Sequence, residues 1–337
     1  MNNFCTFSLL DASHSKEARA SHTLSCIRSW ILSEEFQNLL ASFGFPVSAV
    51  QDAGGRNFPE YLKRVAVFAD SNWDLRRGKE RWAIETNSEI NKNRMYILTA
   101  AEALHMHLED LTAAAEASRI DYLLPLGGAR LANFARVEKV RALSNLFPDA
   151  VFCALSAQRP LSDIEMPFIE RYSHRPADEI KTEFDAMHEA IVSLYGPSPY
   201  KDQRSDGFGS SIDERKNTAW CLRTYGTDAD LFSLSAPSSA PKIRRANTLD
   251  TLEHFLQIFR VQAHSSLALV TTSLYIPFQT LALAPLAIER QLDLSFFGVI
   301  RSSKDLAFSP PSPAAYLQEI KAAVDVGYLF YKKYFAM

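Results

Sequence analysis

From Arg119 onward, short apolar runs alternate with segments whose apolar residues recur at helical spacing. That alternation is the strongest constraint on the fold. Asp121-Tyr122-Leu123-Leu124-Pro125-Leu126 is one such run. It ends at Gly127-Gly128, and Leu131, Phe134, Val137, Val140 and Leu143 then follow at every third residue. Ala150 to Ser156 is a second run, and Ile180, Phe184, Met187 and Ile191 mark the next helix. Leu231 to Ser235, Ser266 to Thr272 and Leu292 to Ile300 read as further strands. Helices through Leu249, Leu252, Leu256 and Phe259, and through Phe278, Leu281 and Leu286, separate them. Strands that alternate with helices pair in parallel, because a parallel connection needs a crossover. The expected fold is therefore α/β, with a doubly wound, mainly parallel sheet.

The first 115 residues read differently. Leu24, Ile27 and Ile31, then Leu39, Leu40 and Phe43, recur at helical spacing, and Ile97 to Ala115 reads as helix. Val65 to Phe68 suits either a strand or a helix, and Tyr195 to Ser211, with its glycines and prolines, reads as a loop. Three regions follow: a mainly helical 1–115, an α/β domain over 116–305, and a terminal helix in 306–337 packed on that domain.

Composition excludes several classes. Hydrophobic residues make up 47% of the 337, against a formal net charge of −3, so the chain has the means to bury a core. Without a basic run or a global positive field, nucleic acid is not an expected partner. Cys5, Cys26, Cys153 and Cys221 are too far apart in sequence for a metal knuckle or a redox dithiol. The start lacks a signal-peptide pattern, and the longest apolar stretch, Leu281 to Ile288, is short of the ~20 residues a bilayer span needs. The expectation is a cytoplasmic protein with no membrane span, with an oligomer left open. Glycine is scarce, 12 in all, so the adjacent pair Gly127-Gly128 marks a place where the backbone needs it.

In an open parallel sheet, ligands bind beyond the carboxyl ends of the strands. The residues placed there are Gly127, Gly128 and Arg130; Ser156 and Arg159; Asn247 and Thr248; and Thr271, Thr272, Ser273, Tyr275 and Gln279. The set is rich in hydroxyls and holds two arginines and no carboxylate. It suits a small anionic or polar ligand, and a nucleotide or S-adenosylmethionine is a candidate. Arg136, with Lys139 and Arg141, reads as a solvated helix face. Asn247 has the pattern of a helix N-cap. His174 with Glu170 and Asp178 reads as a solvated loop rather than a metal or acid/base cluster. The segment from Trp73 to Trp82 reads as a charged surface helix with aromatic anchors.

Part of the chain resembles a known family. The residues are Leu126-Gly127-Gly128-Ala129-Arg130, Leu155-Ser156, the helix around Asp178 to Ala190, Arg245-Ala246-Asn247-Thr248-Leu249, and the run from Leu269 to Gln279. Over 119–302 this order resembles the SanA/ElyC/YdcF family. The resemblance implies a Rossmann-like domain and a polar, nucleotide-like ligand. Ile276 and Gln279 stand where the family has His and Arg, and Ser156-Ala157-Gln158 lacks its glycines. The expected function is a soluble enzyme that binds an anionic metabolite at the strand ends. The alternative is a non-catalytic binding or regulatory protein on a degenerate family fold.

Overall fold

The computed structural model describes residues 9, 11–46, 57–77, 84–107, 119–128, 131–196, 200–206, 218–226, 231–299 and 311–336. In chain order the elements are α1 (Lys16–Ile31), α2 (Glu34–Ser42), α3 (Phe58–Trp73), α4 (Ser88–Lys92), α5 (Arg94–Ala103), β1 (Tyr122–Pro125), α6 (Ala132–Ser144), β2 (Val151–Ala157) and α7 (Met166–Glu170). They continue as α8 (Glu183–Tyr195), β3 (Tyr200–Asp206), β4 (Trp220–Tyr225), β5 (Leu231–Ala236), α9 (Thr248–Ile258), β6 (Ser266–Thr272), α10 (Ile276–Arg290), β7 (Asp293–Val299) and α11 (Pro313–Phe335). The chain divides into a helical unit (Met1–Leu108, Ser273–Gln291, Ser309–Met337) and a sheet unit (Glu109–Thr272, Leu292–Phe308).

The helical unit starts with well-capped helices. The Ser15 and Ser33 hydroxyls accept the Ala18 and Phe36 N–H groups, and Asn87 caps α4 in the same way. Val65 lies on the buried face of α3, so the ambiguous Val65 to Phe68 run is helix. Trp30, Phe36, Leu39, Leu62, Val65 and Trp73 form a core with Leu281, Ala284 and Ile288 of α10 and Leu317, Ile320 and Val324 of α11. The terminal helix, expected on the α/β domain, thus shares the core of the N-terminal helices. Its side chains supply apolar surface that α1 to α5 need to bury their own. Trp73 closes α3 fully buried against Phe36, Phe43 and Phe68, so it is a core residue; residues 78–83 of the charged segment lie outside the described residues.

The sheet unit holds seven strands in the order β3-β4-β5-β2-β1-β6-β7. β5, β2, β1, β6 and β7 run parallel, and β3 and β4 add an antiparallel edge. From β1 the chain winds outward through β2 and β5. It then returns to the other side of β1 for β6 and β7. The sheet is therefore doubly wound and Rossmann-like, with its switch point between β1 and β6. One face, carrying Leu123, Phe152, Ala154, Ala268, Val270 and Phe297, packs on Phe134, Val137 and Val140 of α6 and Met187, Ala190 and Ile191 of α8. On α9, Phe255 lies edge-on to Tyr122, and Phe259 meets Phe232. Part of the expected Tyr195 to Ser211 loop is strand β3, paired with an unanticipated β4. Lys201 to Asp206 are all exposed, so β3 shows none of the apolar alternation by which a half-buried strand is read.

The dependence of the helical unit on α11 is testable. Ile320→Ala should destabilise it by about 2–5 kcal/mol in denaturant unfolding. Deleting 311–336 should abolish its cooperative transition; retention of that transition would show that α1 to α5 bury their core without α11.

Candidate functional site

The carboxyl ends of the strands carry a row of small polar residues. Ser235 of β5 pairs with Ser156 of β2. Ser156 lies beside Gly127, and the β1–β6 register, with Pro125 opposite Val270, carries Gly127 to the level of Thr272. The row Ser235, Ser156, Gly127, Thr272 therefore crosses the switch point. The Ser156 Oγ is buried and has no hydrogen-bond partner among the described residues. Thr271 Oγ1 is likewise buried without one, on the opposite face from Thr272.

The two glycines make room for two opposite charges of the protein itself. A Cβ on Gly128 would stand 2.7 Å from Arg136 Nη1. A Cβ on Gly127 would run into Glu183 Oε1 and come within 2.9 Å of Ser156 Cα. Arg136, 1% exposed, reaches back from α6 to the end of β1. Its Nη1 donates to Leu126 O at 2.7 Å and Gly127 O at 2.6 Å, and its Nη2 donates to Thr272 Oγ1 at 3.0 Å. The expected solvated arginine is thus a buried clasp between β1 and β6. Asn133, fully buried, accepts the Gly128 N–H at 2.8 Å and donates to Glu183 O.

Glu183 opens α8, where a carboxylate suits the helix dipole and where Thr182 and Asp185 form a capping box. Bonds from Glu183 N–H to Arg159 O and from Leu161 N–H to Lys181 O hold this entry against the segment that follows β2. Glu183 Oε1 accepts the Ala157 N–H at 3.3 Å, and Oε2 accepts Arg159 Nε at 3.0 Å. The Arg159 Nη1 and Nη2 donate to the two oxygens of the buried Glu165, each at 2.8 Å, as a bidentate pair. Burial alone would lower the Arg159 pKa, but Glu165 and Glu183 hold it above its ordinary value. Arg159 is therefore spent on two carboxylates that the composition of the strand ends did not reveal.

The remaining expected residues divide. Arg130 lies outside the described residues. Asn247 caps α9: it accepts the Asp250 N–H at 3.1 Å while its own N–H donates to Asp250 Oδ2 at 2.8 Å, and Thr248 is the first residue of that helix. Arg244 pairs with the buried Asp250. Burial favours a raised Asp250 pKa, yet Arg244, Ser239 and the Asn247 N–H hold it below the usual carboxylate value. Ser273, Tyr275 and Gln279 belong to the helical unit, in the turn and first helical turns after β6. His174, Glu170 and Asp178 are exposed, and no group of three His, Cys, Asp or Glu that could hold a metal ion occurs among the described residues. Nor is any helix among them long and apolar enough to cross a membrane.

A second polar cluster lies under β4 and β5. His188 Nδ1 lies 2.9 Å from the Tyr225 hydroxyl, which is 3.1 Å from Ser233 Oγ, and the His188 and Tyr225 rings stack. Burial, then the charges of Arg223 and Arg175, lower the His188 pKa to about 4; Glu189 and Asp185 oppose the shift.

A family model described as the Rv3785 N-terminal domain matches residues 14–105, the first five helices of the helical unit. No curated protein and no solved structure matches the chain. The match corrects the resemblance to the SanA/ElyC/YdcF family: the family found is a different one, and it lies in the helical unit. The motifs behind that resemblance, a Gly-Gly turn and an Asn-Thr helix start, are ones that turn and cap geometry produce locally.

Two outcomes follow from this geometry. Gly127→Ala should cost about 1–3 kcal/mol of stability. With Glu183→Ala the two losses should be non-additive by at least about 0.5 kcal/mol, measured in a double-mutant cycle, with relief incomplete because Ser156 Cα stays in the way. His188 favours its neutral form when folded, so the unfolded chain binds more protons between about pH 4 and 6.5. Its contribution, at most about 3 kcal/mol, is present above pH 6.5 and is lost as pH falls toward 4. The pH profile of denaturant unfolding should flatten over this window in His188→Gln.

Proposed function

We propose that the sheet unit binds a small polar metabolite with an anionic group, nucleotide-like in chemistry, at the carboxyl ends of β1, β2 and β6. The observation that carries this reading is the Ser156 hydroxyl, buried beside Gly127 without a partner among the described residues, at the switch point where open α/β sheets take ligands. The Thr272 hydroxyl, which accepts one bond from Arg136, adds hydrogen-bonding capacity at the same level. Buried charges of both signs, Arg136 and Glu183, stand at the turn. A ligand that pairs an anionic group with hydroxyls matches such a mixed surface.

A binding role is favoured over turnover by one further observation. Glu165 and Glu183 are both held by Arg159, and Asp250 is held by Arg244. A general base would have to break such a pair before it could accept a proton. A thermal-shift screen with nucleotides, S-adenosylmethionine and inorganic phosphate tests both statements. A true ligand at 100 times its Kd should stabilise the protein by about 2.7 kcal/mol. Ser156→Ala should leave the free protein folded and weaken binding about fivefold or more. The ligand should be recovered unchanged. If no class stabilises the protein, or Ser156→Ala binds as tightly, the site is wrong; product formation would overturn the non-catalytic reading alone.

A further inference from the structure

We propose that the β3 edge of the sheet is a self-association surface, on which a second copy of this chain pairs antiparallel to form a continuous sheet across a two-fold axis. Among the described residues β3 pairs only with β4, and none of them pairs with its outer edge. An open edge is a template for another strand, and proteins commonly block it with charge. The charges here do not block self-pairing. Lys201, Asp202, Arg204 and Asp206 alternate in sign around Gln203 and sum to zero.

Antiparallel pairing with Gln203 on the two-fold axis sets Asp202 of each copy opposite Arg204 of the other. Residues directly opposite share a face, so both pairs form on one side of the sheet. That side is identifiable. Gln203 Oε1 accepts from Arg223, whose guanidinium faces Asp185 of α8, so Asp202 and Arg204 point to the other face. They are already neighbours in the single chain, 3.9 Å apart, with side chains 61% and 65% exposed. Two copies would bring four alternating charges together. A two-fold on Asp202 or on Arg204 instead sets that residue opposite its own copy, which puts like charges together and loses both pairs. The register is therefore chosen by charge, as a two-fold interface requires.

The contact is small. Two seven-residue strands bury much less than the roughly 1,600 Å² of a standard interface, so the dimer belongs to the weak, concentration-dependent class. This inference does not depend on the ligand site.

Sedimentation velocity of the full chain over a concentration series, at about 0.05 M and 0.5 M salt, tests it. The expected result is a monomer–dimer equilibrium that weakens at high salt. Asp202→Arg should raise the dimer dissociation constant at least about tenfold, because two attractive pairs become repulsive. The double swap Asp202→Arg with Arg204→Asp should return it to within about threefold of the parent. Both side chains are exposed, so thermal unfolding should be nearly unchanged and serves as the folding control. A monomer at every concentration up to about 0.1 mM would overturn the proposal. So would a dimer indifferent to Asp202→Arg, or one that the double swap fails to restore.

Discussion

Arg136 ties the end of β1 to the end of β6, and the architecture of the sheet unit turns on that clasp. The two strands meet where the winding direction reverses, so no crossover helix connects them directly. Helix α6 leaves β1 and returns one guanidinium to two of its last carbonyls and to the Thr272 hydroxyl. A buried guanidinium is costly unless its donors are used. Here Nη1 and Nη2 use three acceptors, two of them main-chain oxygens at the end of β1. Gly128 is the space that this arrangement requires.

The same logic extends outward from the clasp. Gly127 admits the Glu183 carboxylate, Glu183 holds Arg159, and Arg159 holds Glu165. Each step places one charge next to its opposite in surroundings that water reaches poorly. Removing a single member leaves the others buried and uncompensated, which is why such chains tolerate substitution badly. Beside these pairs the Ser156 hydroxyl, like Thr271 Oγ1 on the opposite face, takes no partner among the described residues. In an interior where polar groups find partners, the Ser156 hydroxyl is the observation on which the proposed ligand site rests.

The strands of the parallel core were legible because each is an apolar run bounded by turn residues. Helix α6 was legible because Leu131, Phe134, Val137, Val140 and Leu143 all face inward. Strands β3 and β4 were not, since β3 is exposed along the described part of its length and carries no period. At the candidate site the positions after each strand were readable and the roles of the charges were not. Arg136 has the composition of a surface residue and is buried. Glu183 sits 56 positions after Gly127 in the chain yet touches the space where its Cβ would be.

By itself, then, the sequence determined the layered α/β class, the order of most strands and helices, and the need for glycine at 127 and 128. Apolar period and turn chemistry are local, and local signals survive in one dimension. Only the tertiary structure decided what the glycines accommodate, that α11 completes the core of the N-terminal helices, and that Arg159 is spent on two carboxylates. Those outcomes depend on which distant residue fills a given space, and a charge reads as solvated until its partner is found.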